Sequence, residues 1–313
     1  MTPKPFLQPH PRRLPRGRAV TIVAGFKCKD GVVLCADTQE TIESSKIWTP
    51  KLSFEPRDMD SYDGASELMA IFAGSGEGPF VDKVVQRIWE DLQLVATFDE
   101  ACDEAETSIK KTYKEYGQIF QPGYCPYAKV LYGLKMDGQS KLFQADGAIV
   151  TEKTTYSVGG IGQHLSEFLC SRMYGENLTL SQAVILASYV VLQAIEHVDG
   201  CGGDQHIAVL RNTGGSEVVD PVTLKGIASH LRGVDSESAR ALLVAVNLEL
   251  PEDDYKSWIE HLRLLFAATR EMHREELGAW PRIKSAVIEH EKAKRQVPNK
   301  RSTGPRINQR KLR

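Results

Sequence analysis

The chain has no CxxC pair, no HExxH, no Gly-x-Ser-x-Gly and no Gly-Lys-Ser/Thr after its glycine-rich turn. Each absence removes a class of chemistry. Without paired cysteines, the six present (Cys28, Cys35, Cys102, Cys125, Cys170 and Cys201) read as reduced, mostly buried thiols rather than a disulfide frame or a zinc site. His197 and His206, near Asp199 and Asp204, are the best metal candidates and are poor ones, so no metal and no cofactor is expected. Gly74-Ser-Gly-Glu-Gly78 lacks the lysine of a phosphate-cradling loop and reads as a strand-to-helix turn, and Gly74-Ser-Gly lacks the frame of a serine hydrolase. We find no apolar run approaching the length that crosses a bilayer, and Met1 to Arg18, broken by five prolines, lacks the apolar core of a signal peptide. The expectation is a cytoplasmic protein without a membrane role.

Acids are missing from both ends. Residues 1–29 and the segment after Glu291 hold many Lys and Arg but neither Asp nor Glu, although the whole chain of 313 residues is near neutral at −2. Both ends read as solvated basic arms, and the tail after Glu291 lacks the interleaved aromatics of a nucleic-acid binder. Over the whole chain, 42% hydrophobic and 26% charged residues describe an ordinary globular protein.

What is present begins at Thr21-Ile-Val-Ala-Gly-Phe-Lys-Cys-Lys-Asp-Gly-Val-Val-Leu-Cys-Ala-Asp37. Two runs rich in β-formers flank Asp30-Gly31, a strong hairpin signal. With Asp30-Gly31 as the loop, Asp37 lies opposite Ala24, at the end of the ribbon where Thr21 sits. Further strands are expected over Lys46 to Phe54, Leu68 to Ala73, Val130 to Met136, Lys141 to Gln144, Thr154 to Val158 and His206 to Leu210. Helical spacing marks Phe80 to Val95, Phe98 to Phe120, Gln163 to Tyr174 and Ser181 to His197, the last capped by Thr179 or Ser181. Strands in hairpins and helices in pairs fit two sheets covered by helical layers better than a doubly wound parallel sheet. The core is expected to end near Asp220, with helical spacing resuming over Glu237 to Val246 and Asp254 to Glu276.

The opening motif, Lys51-Leu, Phe72-Ala-Gly74, Ser157-Val-Gly-Gly160 and Cys201-Gly-Gly203 resemble, in order and rough spacing, the proteasome β-type subunits, in a bacterial style. That is a family of N-terminal-nucleophile hydrolases, and the resemblance covers about Ala19 to Asp220. It implies an α+β fold, a four-layer αββα sandwich of two antiparallel sheets between helical layers, here with a helical C-terminal extension. The chain then divides into a basic arm or propeptide (1–18), the hydrolase-like domain (19–220), the extension (221–291) and a disordered tail (292–313). The resemblance also assigns roles. Thr21 matches the nucleophile, Asp37 the carboxylate that orients the catalytic lysine, and Lys51 that lysine; Lys46 competes for the role, but Lys51-Leu-x-Phe opens the next strand as in the family. Gly74 matches the oxyanion-hole glycine, Phe72 the base of a specificity pocket suited to an apolar side chain, and Asp199 and Cys201, loosely, the Asp and Ser that polarise the terminal threonine.

The chemistry is intelligible without the family. A threonine hydroxyl needs a base, and the α-amine of the same residue, titrating near pH ~8, is one if Thr21 is the terminus. The implied activity is a threonine-type peptidase that exposes Thr21 by self-processing and cuts peptides or unfolded protein in a homo-oligomeric ring served by an unfoldase. Three departures stand beside it: Val20 in place of the usual preceding Gly, Gly160 in place of a serine, and a shortened connection from Asp37 to Lys51. The alternatives are an unprocessed, non-catalytic proteasome-like subunit and a small-amide acylase on the same fold.

Overall fold

The structure is a computed structural model and describes residues 21–42, 45–56, 68–117 and 125–296. The N-terminal arm, Val20, the acidic loop at 57–67 and the end of the tail lie outside the described residues. Twelve strands and six helices follow one another as β1 (Ile22–Cys28), β2 (Gly31–Asp37), β3 (Gln39–Ile42), β4 (Ser45–Trp48), β5 (Leu52–Glu55), β6 (Met69–Gly76), α1 (Gly78–Leu92), α2 (Phe98–Gly117), β7 (Ala128–Met136), β8 (Gln139–Asp146), β9 (Ile149–Lys153), β10 (Tyr156–Gly160), α3 (Gln163–Met173), α4 (Leu180–His197), β11 (Gln205–Arg211), β12 (Ser216–Val218), α5 (Pro221–Ala245) and α6 (Glu252–Gln296).

Alternation along the strands sorts apolar side chains into three clusters, and these define four layers. Val23, Leu34, Ile71, Leu131 and Leu142 fill the space between two antiparallel five-stranded sheets, ordered β10-β1-β2-β11-β12 and β5-β6-β7-β8-β9. Ile22, Ala24, Phe26, Val33 and Ile207 point out of the first sheet against α3 and α4. Phe72, Val130, Tyr132 and Phe143 point out of the second against Val84, Ile88 and Ile109 of α1 and α2. Tyr132 stacks between Phe72 and Phe143, with ring centroids 5.6 and 5.0 Å away. This is the αββα sandwich expected from the strand and helix pattern.

The first hairpin turns one residue earlier than Asp30-Gly31 suggests. Cys28 pairs with Gly31 and Val23 with Ala36, so the loop is Lys29-Asp30 and Cys35, not Asp37, faces Ala24. The reason is tertiary. The Asp30 carboxylate is drawn away to accept the Leu180 N–H at 2.9 Å at the start of α4. Gly31 becomes a strand residue beneath β11, where a Cβ would sit 2.2 Å from the Leu210 carbonyl oxygen. Moving the turn by one residue changes the pairing by two, so every side chain keeps its face and Thr21 still ends beside Asp37. Gly31→Ala is accordingly expected to cost about 3 kcal/mol, because the obstacle is backbone, and to lower the denaturant midpoint with an unchanged slope. Asp137-Gly138, by contrast, forms the turn that an Asp-Gly pair favours, with φ of 49° and 73°, where tight packing does not compete.

Other boundaries differ for local reasons. The run from Lys46 to Phe54 is two strands, β4 and β5, divided at Pro50, which cannot donate to a ladder. Three short strands, β3, β9 and β12, escaped the pattern, and β10 lies two residues beyond the expected Thr154 to Val158. Thr179 caps α4 in a full capping box with Gln182. One helix among the described residues, Leu180–His197, is long and apolar enough to cross a membrane, contrary to the expectation of none. Its apolarity is matched by burial: Leu180, Val184, Ala187, Val190, Val191 and Ala194 all lie in the core.

The apolar packing does not stop at Asp220. That residue caps α5 through its carboxylate, which accepts from Val222 and Thr223 N–H at 2.9 and 3.0 Å. Leu224 and Ile227 then bury themselves on α4. Beyond them α5 and α6 form a helical hairpin with Leu242, Leu243 and Val246 exposed, and α6 runs through Pro281 to Gln296, so 292–296 is helical rather than disordered.

Candidate active site

Three side chains from three segments meet at the open end of the sandwich. Thr21 precedes β1, Asp37 ends β2, and Lys51 precedes β5. The Thr21 hydroxyl donates to Asp37 Oδ1 at 2.5 Å. Lys51 Nζ donates to Asp37 Oδ1 at 2.6 Å and to the Thr21 hydroxyl oxygen, and also to the Gln39 carbonyl at 2.5 Å. Lys46, on the exposed face of β4, does not reach the cluster. The Ile22 and Gly202 N–H groups donate to Asp37 Oδ1 and Oδ2 at 3.1 and 3.0 Å. The carboxylate is wholly buried and Thr21 is only 2% exposed. So buried a charge persists only with such donors around it. Burial lowers the Lys51 pKa from the ordinary lysine range, and Asp37 opposes that shift.

The cluster opens on a cleft of about 310 Å³. Phe72, Leu52, Val81 and Val85 give it apolar walls, and Glu40 and Asp82 add acidic ones. Phe72, matched above to the base of a specificity pocket, thus lines this cleft. Gly74 lines the same cleft, and a Cβ there would lie 2.2 Å from Val81 Cγ1. Its N–H donates to the Lys51 carbonyl at 3.3 Å. Cys201 is buried near Asp37 and Lys51, and burial pushes its thiol up to about 12. Asp199 is exposed and, among the described residues, makes no hydrogen bond or ion pair with the cluster. His206 is turned edge-on to Trp48 at 5.5 Å, and burial lowers its pKa.

Backbone groups complete the site, and these carry no residue signature. Gln39 illustrates this: its N–H donates to the Gly202 carbonyl at 3.0 Å while its own carbonyl holds Lys51. The legible trace is Gly202-Gly203. A Cβ at either would come 2.4 Å from a side-chain oxygen, of Gln39 and Thr38 respectively. Gly160, with φ +90°, is tight in the same way, since a Cβ would fall 2.1 Å from the Thr21 carbonyl oxygen. No serine side chain fits there without backbone movement. Ser75 was not anticipated; it lines the cleft, and its hydroxyl is buried with no hydrogen-bond partner among the described residues.

No family model matches the chain. Proteasome subunit alpha of Methanococcus vannielii is 26% identical over 243 residues, spanning 74% of this chain and 87% of that relative. The same subunit of Methanobrevibacter smithii is 25% identical over 224 residues, covering 69% and 82%. Among solved structures, Anbu (ancestral beta-subunit) from Yersinia bercovieri superposes with a TM-score of 0.57 at 14% identity, over 74% of this chain and 98% of that one. A subunit from the helical assembly of the Anbu complex of Pseudomonas aeruginosa gives 0.57 at 13% identity, over 74% and 99%. The chain is thus similar in sequence to proteasome alpha subunits and shares its fold with Anbu, and these similarities do not single out the β type.

Proposed function

We propose that the chain is a threonine-type amidohydrolase that exposes Thr21 by self-processing and cuts peptide bonds within a proteasome-like assembly. The observation that carries this reading is the Lys51 ammonium seated between the Thr21 hydroxyl and the buried Asp37 carboxylate, at the wall of an open cleft. Once Thr21 is terminal, its hydroxyl attacks the scissile carbonyl and its own amine takes the proton. Lys51 stabilises the developing alkoxide. The same amine returns the proton to the leaving nitrogen as the C–N bond breaks, and water then hydrolyses the ester. Gly74 N–H is the proposed oxyanion donor, released from its long bond to the Lys51 carbonyl. In the intact chain the Thr21 amine is tied to Val20, so self-cleavage needs another group to take the hydroxyl proton, and Lys51, hydrogen-bonded to that hydroxyl, is the one in place.

Apolar walls favour an apolar substrate side chain, and a cleft rather than a closed pocket favours peptides over small amides. Similarity to proteins titled as proteasome subunits and as a helical assembly supports oligomerisation of this chain too. Peptide or unfolded protein is the substrate class, and an unfoldase is the expected partner. A non-catalytic assembly subunit is the second reading, favoured by the burial of Thr21 and by the engaged Gly74 amide. Intact mass and N-terminal sequencing of the purified protein separate the two: a chain beginning at Thr21 is the expected result, and a chain retaining Val20 would put the second reading first.

A further inference from the structure

In the second sheet β8 and β9 follow β7, and along the face of β7 and β8 that meets the first sheet the side chains change character. Leu131 and Leu142 belong to the apolar layer between the sheets. Beyond them the same face carries Lys129, Gln144 and Lys153 along a cleft of about 360 Å³. Ser157, Gln163 and His164 close it from β10 and from the first turn of α3.

Two lysines make this a site for negative charge. The Lys129 side chain is only 9% exposed, yet its ammonium makes no hydrogen bond among the described residues. Among the described residues the one acid within 4 Å of it is Asp146, at 3.6 Å and itself half-exposed. A buried ammonium without hydrogen bonds is costly unless something fills the space before it. Lys153 lines the opposite side and has no acidic partner among the described residues. Gln163 and His164 of the first turn of α3 line the cleft beside the two lysines. Glu167 also lines the cleft, where it accepts from the Tyr156 hydroxyl at 3.0 Å. Together with Asp146 it matches the two lysine charges in number, which argues for a small ligand held by the ammonium groups themselves.

We propose that this cleft binds a small oxyanion, a phosphate or carboxylate group, between Lys129 and Lys153 at the start of α3. The site is separate from the Thr21 cleft and does not depend on whether the chain is a hydrolase. The Lys129 stem lies against the Gly159 backbone, one residue from Gly160, on which Thr21 packs. Occupancy therefore fixes the strand beside Thr21.

Thermal unfolding of the full chain with inorganic phosphate or acetate, against chloride at equal ionic strength, tests the proposal. Saturating oxyanion is expected to raise Tm by about 2–4 °C over chloride. Lys129→Met and Lys153→Met are each expected to weaken the apparent affinity at least about tenfold, while Lys129→Arg retains binding. A response to phosphate alone assigns the ligand as a phosphate group, and a response to acetate alone as a carboxylate. Lys153 is only partly buried, so its variant carries the test if Lys129→Met fails to fold. No rise with either anion, or an equal rise in wild type and both methionine variants, would overturn the assignment.

Discussion

Replacing Thr21 with alanine is expected to lower kcat/KM toward peptide amides by about a thousand-fold or more and to leave the chain uncleaved at Val20, with assembly unchanged. The size follows from the role: Thr21 supplies both the attacking oxygen and, once terminal, the base, so no other group in the cleft substitutes for it. The structural cost is small. Alanine removes the hydroxyl that donates to Asp37, but the carboxylate keeps Lys51 and two backbone N–H groups. Assembly measured by size-exclusion chromatography should therefore match wild type while peptidase activity is lost. Full activity in Thr21→Ala would remove the threonine from the mechanism, and the cleft would need another nucleophile.

The second large effect is on stability as well as activity. Lys51→Met should cost about 3 kcal/mol, the low end for breaking a buried ion pair, because Asp37 is wholly buried yet retains its other donors. Methionine nearly preserves the packing of the lysine stem, so the loss reports charge rather than volume. Adding Asp37→Asn to Lys51→Met should recover part of that loss, since a neutral amide no longer requires the ammonium. Equilibrium denaturation of the four chains in this cycle gives the coupling directly. Equal stability of wild type and Lys51→Met would mean that the pair contributes nothing, and with it would go the physical reason for holding a lysine against the Thr21 hydroxyl. Peptidase activity should be absent from both Lys51 variants, whichever way stability moves.

Much of the site was legible because it lies on local signals. Thr21 and Asp37 are joined by a hairpin whose β-rich arms bring its ends together whichever residue makes the turn. Lys51 opens a short strand, and Phe72 and Gly74 sit on a buried one, so their order along the chain already places them on one edge. Asp199 shows the limit of that reasoning. Its match rested on spacing in a loop, and loops carry no periodicity to fix direction, so the side chain ended in solvent while Cys201, two residues on, turned inward. Backbone donors such as Gly202 N–H were invisible for a different reason: every residue but proline has one, and only the fold selects which meets a carboxylate.

By itself, then, the sequence determined the alternation of apolar side chains that builds two sheets and their helical covers, and the pairing of Thr21 with Asp37. Both follow from periodicity and from contacts close along the chain. The tertiary structure alone decided the turn at Lys29-Asp30, the Gly202 donor to Asp37, the tightness at Gly160 and the cleft beside Lys129. Each of these depends on backbone or side chains brought from tens of residues away, where neither propensity nor spacing reaches.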